Sequence, residues 1–185
     1  MIYKKKFDIL YADPPWRYDR RVAKGAAEKH YPSMTVPELC QLPVPKIAAD
    51  DSILFLWTTF PKLLESLTVI EAWGFRYRTV AFVWVKQNRK ALTWFWGTGF
   101  WTRSNAEICL LATKGHPKRQ VRNIHQLIVS PVAEHSRKPD EARRRIVDLM
   151  GDLPRVELFA RETIPGWDSW GNEVENSVVL EGDMS

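Results

Sequence analysis

The stretch Phe7–Tyr18, FDILYADPPWRY, constrains this chain more than any other. Ile9, Leu10, Tyr11 and Ala12 run without a polar break, which predicts a buried strand. Pro14 and Pro15 have no N–H to give to a ladder, so the strand must stop there. Each proline also forces the residue before it into an extended conformation. Asp13 is therefore expected to be held rigidly at the carboxyl end of a strand, the edge at which open α/β sheets bind ligands. The local backbone offers carbonyl acceptors and few donors, Asp13 adds a carboxylate, and Trp16 is expected to be displayed as a flat aromatic three residues on. Acceptors beside an aromatic plate suit the exocyclic NH2 of a nucleobase. Two acceptors, one per N–H, pull such a nitrogen toward tetrahedral geometry and aim its lone pair at an electrophile. Taken alone, the same four residues also read as a plain strand-ending turn.

The chain beyond Trp16 alternates strands with helices. Arg17–Met34 is polar, basic and without a period, and reads as a long loop. Tyr31 at its end is either a second wall around a ligand or ordinary loop packing. Thr35-x-x-Glu38 has the form of a capping box opening a short helix to about Gln41. Strands are expected at Ser52–Trp57, Thr79–Lys86, Glu107–Thr113, Leu127–Val129 and Arg155–Phe159. A helix after Pro61 places Leu63, Leu64, Leu67, Ile70 and Trp73 on its core face and closes at Gly74. A second helix runs from Pro139 to Met150, with Ala142, Ile146, Leu149 and Met150 inward and Arg143 and Arg144 outward. Such alternation predicts βαβ units, a mostly parallel sheet and one domain over 1–185, with the tail from Val174 irregular.

Gln87–Arg103, QNRKALTWFWGTGFWTR, is the second unusual segment. It interleaves Asn88, Arg89, Lys90 and Arg103 with Trp94, Phe95, Trp96, Phe100 and Trp101. Phosphate contact with base stacking is one reading. A hydrophobic patch on the core or on a partner subunit is the other.

Composition matters at three points. Nine tryptophans are many for 185 residues, so some must be core and some stacking surface. A net charge of +5 favours a polyanionic partner. Two cysteines, Cys40 and Cys109, lie among apolar residues, and the four histidines show no metal-ligand spacing, so free thiols and no structural metal are expected. The first residues, MIYKKKFD, lack the apolar core of a signal peptide, and no run is long enough to span a membrane. A cytoplasmic protein is the expectation.

Several segments then stand in one order: ADPPW (12–16), HYPSM (30–34), ILFLW (53–57), FVWVK (82–86), GFWTRSNAEIC (99–109), RKPDE (137–141), VELFAR (156–161) and WGNE (170–173). Together they resemble the DPPW-type adenine-N6 methyltransferases, a family that includes the catalytic subunit of the mRNA adenosine-methylating complex and small bacterial and phage enzymes. The resemblance covers roughly residues 5–175. It implies a Rossmann-like α/β methyltransferase fold with S-adenosylmethionine (SAM) as methyl donor. It also implies a permuted order, with the catalytic DPPW strand first and the cofactor-binding strand near the C-terminus.

The resemblance implies roles position by position. Asp13 and the Pro14 carbonyl, stiffened by Pro15, hold the target amine, and Trp16 stacks on or walls the adenine. Asp13 also lies by the cofactor's sulfonium end. Lys138 sits near the cofactor's carboxylate, Glu157, Phe159 and Arg161 lie on the cofactor-binding strand, and Asn172 and Glu173 touch the nucleoside. Tyr31, Lys86, Glu107 and Arg103 fall on the substrate side. The chain departs from the mRNA-type pattern in Ala160, where those relatives have glycine, in the short loop ETIPG, and in Glu173, where they have glutamine. The expected partner is nucleic acid, DNA ahead of RNA or a free nucleotide, with a homo- or heterodimer possible. A catalytically silent nucleic-acid-binding subunit is the competing class, and retention of Asp13, Lys138 and Asn172 argues against it.

Overall fold

The computed structural model describes residues 5–18, 33–99, 101–133 and 137–180. Seven strands form one sheet: β1 (Phe7–Ala12), β2 (Ala48–Thr58), β3 (Arg76–Gln87), β4 (Glu107–Lys114), β5 (Leu127–Pro131), β6 (Arg155–Leu158) and β7 (Asp168–Trp170). Their order across the sheet is β5-β3-β4-β2-β1-β6-β7. All pairings are parallel except those of β4 with β2 and with β3. This is a mixed, mostly parallel α/β sheet, the Rossmann-like architecture expected. β1, the DPPW strand, lies between β2 and β6, and β6 comes late in the chain, which is the permuted order expected.

One consequence positions the site. Six strands end at the same edge, and β4, running the other way, begins there. Asp13 after β1, Lys86 in β3, Glu107 at the start of β4 and Phe159 after β6 are thereby gathered from far apart in sequence.

Alternation with period two divides the core. Phe7, Leu10, Leu54 and Leu56 face α1 (Val36–Gln41) and α2 (Leu63–Ala72), with Leu39, Ile70 and Trp73. Ile9, Tyr11, Ile53, Phe55 and Trp57 face α3 (Asp140–Met150), with Ala142 and Ile146. Trp57, Trp73 and Trp84 are fully buried. Each donates its indole N–H: to the Tyr11 hydroxyl (2.7 Å), the Leu39 carbonyl (2.8 Å) and Ser130 Oγ (2.9 Å). Burying a tryptophan without such a partner would leave a polar group unsatisfied.

Five sequence expectations are corrected. β7 went unread, because three residues, DSW, carry no pattern of their own. β2 and β3 begin earlier than expected, because exposed Asp50 and Asp51 in β2, and exposed Arg76 and Arg78 in β3, interrupt the apolar pattern. Leu64 is exposed, and Val69 takes its place in the core. Pro139 caps α3 from outside in an extended conformation (ψ 132°) rather than opening its first turn. Arg143 points inward, as shown below. The tail has no strand or helix through Leu180, yet the Ser177 N–H donates to the Ser169 carbonyl (3.0 Å), and Val178 and Leu180 pack on the core.

The capping box is present: the Glu38 N–H donates to Thr35 Oγ1 (3.3 Å), and the Thr35 N–H donates to Glu38 Oε2 (2.6 Å). Thr35→Ala is expected to lower unfolding free energy by about 1 kcal/mol, read as a shifted urea midpoint with an unchanged slope. Loss of the neighbouring β1 edge geometry is not expected, since Leu39 keeps α1 on the core.

Candidate active site

Asp13 leaves β1 at the sheet edge, and the two prolines fold the chain back at once. The Trp16 N–H donates to the Pro14 carbonyl (2.9 Å), and the Met34 N–H donates to the Pro15 carbonyl (2.8 Å). The first contact is a three-residue turn that fixes the direction of the Pro14 carbonyl. A carbonyl oxygen has two lone pairs, so this one keeps an acceptor position after that turn.

Trp16 differs from expectation. It is buried in the core facing α1 and α2, 9% exposed, and its indole N–H donates to the Trp57 carbonyl (3.1 Å). It is a wall anchored in the core, not a displayed plate. Tyr18, two residues on, is the exposed ring here, with its hydroxyl paired to Thr59 Oγ1 and Lys62 Nζ 5.5 Å from its centroid.

Behind Asp13 lies a chain of alternating charges. Lys138 Nζ donates to Asp13 Oδ2 (2.8 Å) and lies 3.1 Å from Glu107 Oε2, and Glu107 is in turn paired with Lys86. Lys138 is 8% exposed. Burial pulls its pKa down, but Asp13 and Glu107 outweigh burial and hold it above the ordinary lysine value. For Glu107 burial pushes upward, and Lys138 and Lys86 together bring it below the usual carboxylate value. No hydrogen bond occupies Asp13 Oδ1 among the described residues.

A cleft of about 410 Å³ opens beside this chain. Asp13, Lys138, Glu157, Phe159, Arg161 and Glu173 all line it, so six of the seven residues expected to hold a cofactor share one cavity. Asn172, the seventh, is not on its wall. It follows Gly171, where a Cβ would come within 2.1 Å of the Ala160 carbonyl oxygen. Only glycine allows this approach, which presses the strap after β7 against the end of β6. The Ala160 N–H donates to the Trp170 carbonyl (3.0 Å), and Arg161 lies 3.9 Å from Glu173. Phe159 takes the left-handed conformation (φ 62°), with its ring edge-on to Trp170. An L residue adopts that φ at a cost, as functional loops commonly do.

The remaining expectations fare differently. Lys86 and Glu107 belong to the charge chain and do not line the cleft. Arg103 donates to the Gly97 carbonyl (2.8 Å) and the Trp96 carbonyl (3.2 Å), shaping its own loop. In that loop Trp94, Trp96 and Trp101 are exposed, Trp101 fully. Tyr31 lies outside the described residues.

Arg143 was missed. Glu157 pairs with it: Nε donates to Oε2 (2.7 Å) and an NH2 group to Oε1 (2.8 Å). Its position was legible, since Arg143 stands three residues before Ile146 and seven before Met150, on the buried stripe of α3. Arg137 and Glu162, also on the cleft wall, carry no such signal.

The sequence model of the MT-A70 family matches residues 7–173. The chain belongs to the MT-A70 family. Among MT-A70 relatives, the type II methyltransferase M.MunI from Mycoplasma sp. is 37% identical, over 95% of this chain and 81% of its own length. The N(6)-adenosine-methyltransferase catalytic subunit METTL3 of Homo sapiens is 31% identical over 97% of this chain. The N(6)-adenosine-methyltransferase MT-A70-like protein of Arabidopsis thaliana is 35% identical over 94%. The chain spans 30% and 24% of the length of these last two. It is a methyltransferase of the MT-A70 family. No helix among the described residues is long and apolar enough to cross a membrane, and no group of three metal-ligating side chains occurs among them.

Proposed function

We propose that this N6-adenine methyltransferase acts on DNA, with SAM as methyl donor bound in the cleft between the ends of β1 and β6. One observation carries the reading: the catalytic-type Asp13 and a cavity with a cofactor's complement of groups open at one sheet edge. The donor set suits SAM piece by piece. Lys138 and Arg137 match a carboxylate, Asp13 matches an ammonium or sulfonium charge, Glu157 and Glu173 are acceptors for a diol, and Phe159 offers an apolar face. A volume of about 410 Å³ is within the range of small-molecule sites. SAM, when bound, supplies an electrophilic methyl group.

The chain's own residues do the rest. Asp13 Oδ1 and the Pro14 carbonyl each accept one N–H of the target amine, which concentrates its lone pair in one direction. The same two acceptors stabilise the positive charge that grows on that nitrogen. Trp16, locked to Trp57, keeps that pocket wall from moving. Lys138 holds Asp13 in place through Oδ2, and Oδ1 is the oxygen assigned to the target amine. In duplex DNA the base must first leave the stack. The loop over 87–106 has three cations (Arg89, Lys90, Arg103), no carboxylate and several exposed rings, which suits a displaced strand.

DNA is preferred because a relative matched over most of both chains is named as the type II methyltransferase M.MunI from Mycoplasma sp.. The test is methyl transfer from labelled SAM to a panel of duplex DNA, single-stranded DNA, RNA and AMP. Labelled N6-methyladenine in DNA, with binding that weakens steeply as salt rises, is the expected result. Label confined to RNA or AMP overturns the substrate, and label in none of the four overturns the activity.

A further inference from the structure

We infer that Arg143 is a positioning residue for the cofactor: it holds the Glu157 carboxylate in one plane, leaving the remaining lone pairs of that carboxylate to receive the vicinal hydroxyls of a ribose. The inference rests on the proposed binding of SAM in this cleft, and adds a residue that carries no assigned role.

Arg143 and Glu157 both line the cleft and are both buried, 8% and 6% exposed. The guanidinium spans both carboxylate oxygens at 2.7 and 2.8 Å, the fork geometry that only arginine provides. Arg143 is itself fixed from two sides. A second NH group donates to Asp140 Oδ1 (2.6 Å), and the Tyr11 ring lies 5.6 Å from its centre. A bidentate pair uses about half of the lone-pair directions of a carboxylate. A vicinal diol needs the other half.

Charge makes the same demand. Around Glu157 stand Tyr11 from β1 and Asp13 just after it, Asp140 and Arg143 from α3, Arg137 and Lys138 just before α3, and Arg161, Glu162 and Glu173 from the loops after β6 and β7. Burial is the main influence on the Glu157 carboxyl and, with Asp13 and Glu162, pushes its pKa up. Arg143 is the group that opposes this. Without Arg143 the Glu157 carboxyl moves further up, toward the protonated form that presents a hydroxyl donor where the ribose needs an acceptor. A merely structural pair would show the same proton uptake but leave cofactor affinity independent of pH.

The experiment measures S-adenosylhomocysteine binding to the full chain by calorimetry from about pH 6 to 9, with the free protein's Glu157 carboxyl titration followed by 13C NMR. Wild-type affinity is expected to be flat. Arg143→Gln is expected to bind on the order of tenfold more weakly near neutrality, the loss of about one charge-assisted hydrogen bond. Its affinity should recover as pH rises, and its Glu157 titration should move up. Arg143→Lys, which keeps the charge and the fold, should restore the titration and part of the affinity. Glu157→Gln should be weak and flat, and adding Arg143→Gln to it should cost nothing further. Unchanged affinity in Arg143→Gln, an unmoved Glu157 titration, or fully additive losses in the double variant would each overturn the inference. Absence of binding by the wild type would instead overturn the assignment of the cleft.

Discussion

Asp13→Ala is expected to lower the single-turnover rate of methyl transfer to adenine by on the order of 10²–10³, the cost of removing one preorganised charge-stabilising partner. The protein should remain folded. Lys138, the group that Asp13 pairs with, keeps Glu107 at 3.1 Å, so no buried cation is stranded. The loss is expected to be larger in the rate than in cofactor affinity, because Lys138, Glu157 and Arg161 still line the cleft. Asp13→Asn keeps the shape and one oxygen acceptor but gives up the negative charge facing the developing cation. It should fall between the wild type and alanine. Rapid-quench transfer of a labelled methyl group, beside calorimetric binding of S-adenosylhomocysteine, separates the two effects. A rate equal to wild type in Asp13→Ala would sink the role proposed for this carboxylate.

Lys138→Met is expected to cost about 3–5 kcal/mol of stability at neutral pH, the usual penalty for removing one partner of a buried charge network. Both Asp13 and Glu107 lose their shared cation, and among the described residues Lys86 is the cation left paired with Glu107. The sign of the pH dependence distinguishes this from simple lost packing. Glu107 has a depressed pKa in the wild type, so its contribution is present above the ordinary value of 4.5 and is lost as pH falls through the depressed one. Lys138 has a raised pKa, so its contribution is present below 10.5 and is lost as pH rises through the raised value. The wild type is therefore expected to weaken toward acid. The Lys138→Met variant should show the opposite, recovering part of its deficit on acidification as the uncompensated Glu107 takes up a proton. Urea unfolding at neutral pH, near pH 5 and at about pH 3 reads both slopes. A deficit that stays constant with pH would mean that Lys138 contributes packing alone.

The site divides according to what each residue depends on. Asp13 was readable because three local rules meet at it: an apolar run, a proline stop and an extended residue before proline. Thr35 and Glu38 were readable because a capping box is complete within four residues. Arg143 carried a helical-stripe signal that charge alone obscured, since an arginine on a core stripe is assigned outward unless its partner is known. That partner, Glu157, is fourteen residues away on a strand of the same sheet edge. Trp16 was misjudged for the same reason. Nothing within its own segment shows that the Trp57 carbonyl, forty-one residues on, takes its indole N–H.

By itself the sequence determined the strands with unbroken apolar runs, the two longer helices with their glycine stops, and the ordered motifs of an adenine-N6 methyltransferase. These are set by local sterics, hydrogen-bonding capacity and periodicity, which act over a few residues. The tertiary structure alone decided which charges meet. Lys86, Glu107, Lys138 and Asp13 are joined because β4 runs against its neighbours and begins where they end. Glu157 belongs to Arg143 because α3 packs that face on β1 and β6. Coulomb energy between ionised groups depends on distance in space and on burial, and neither is written along the chain.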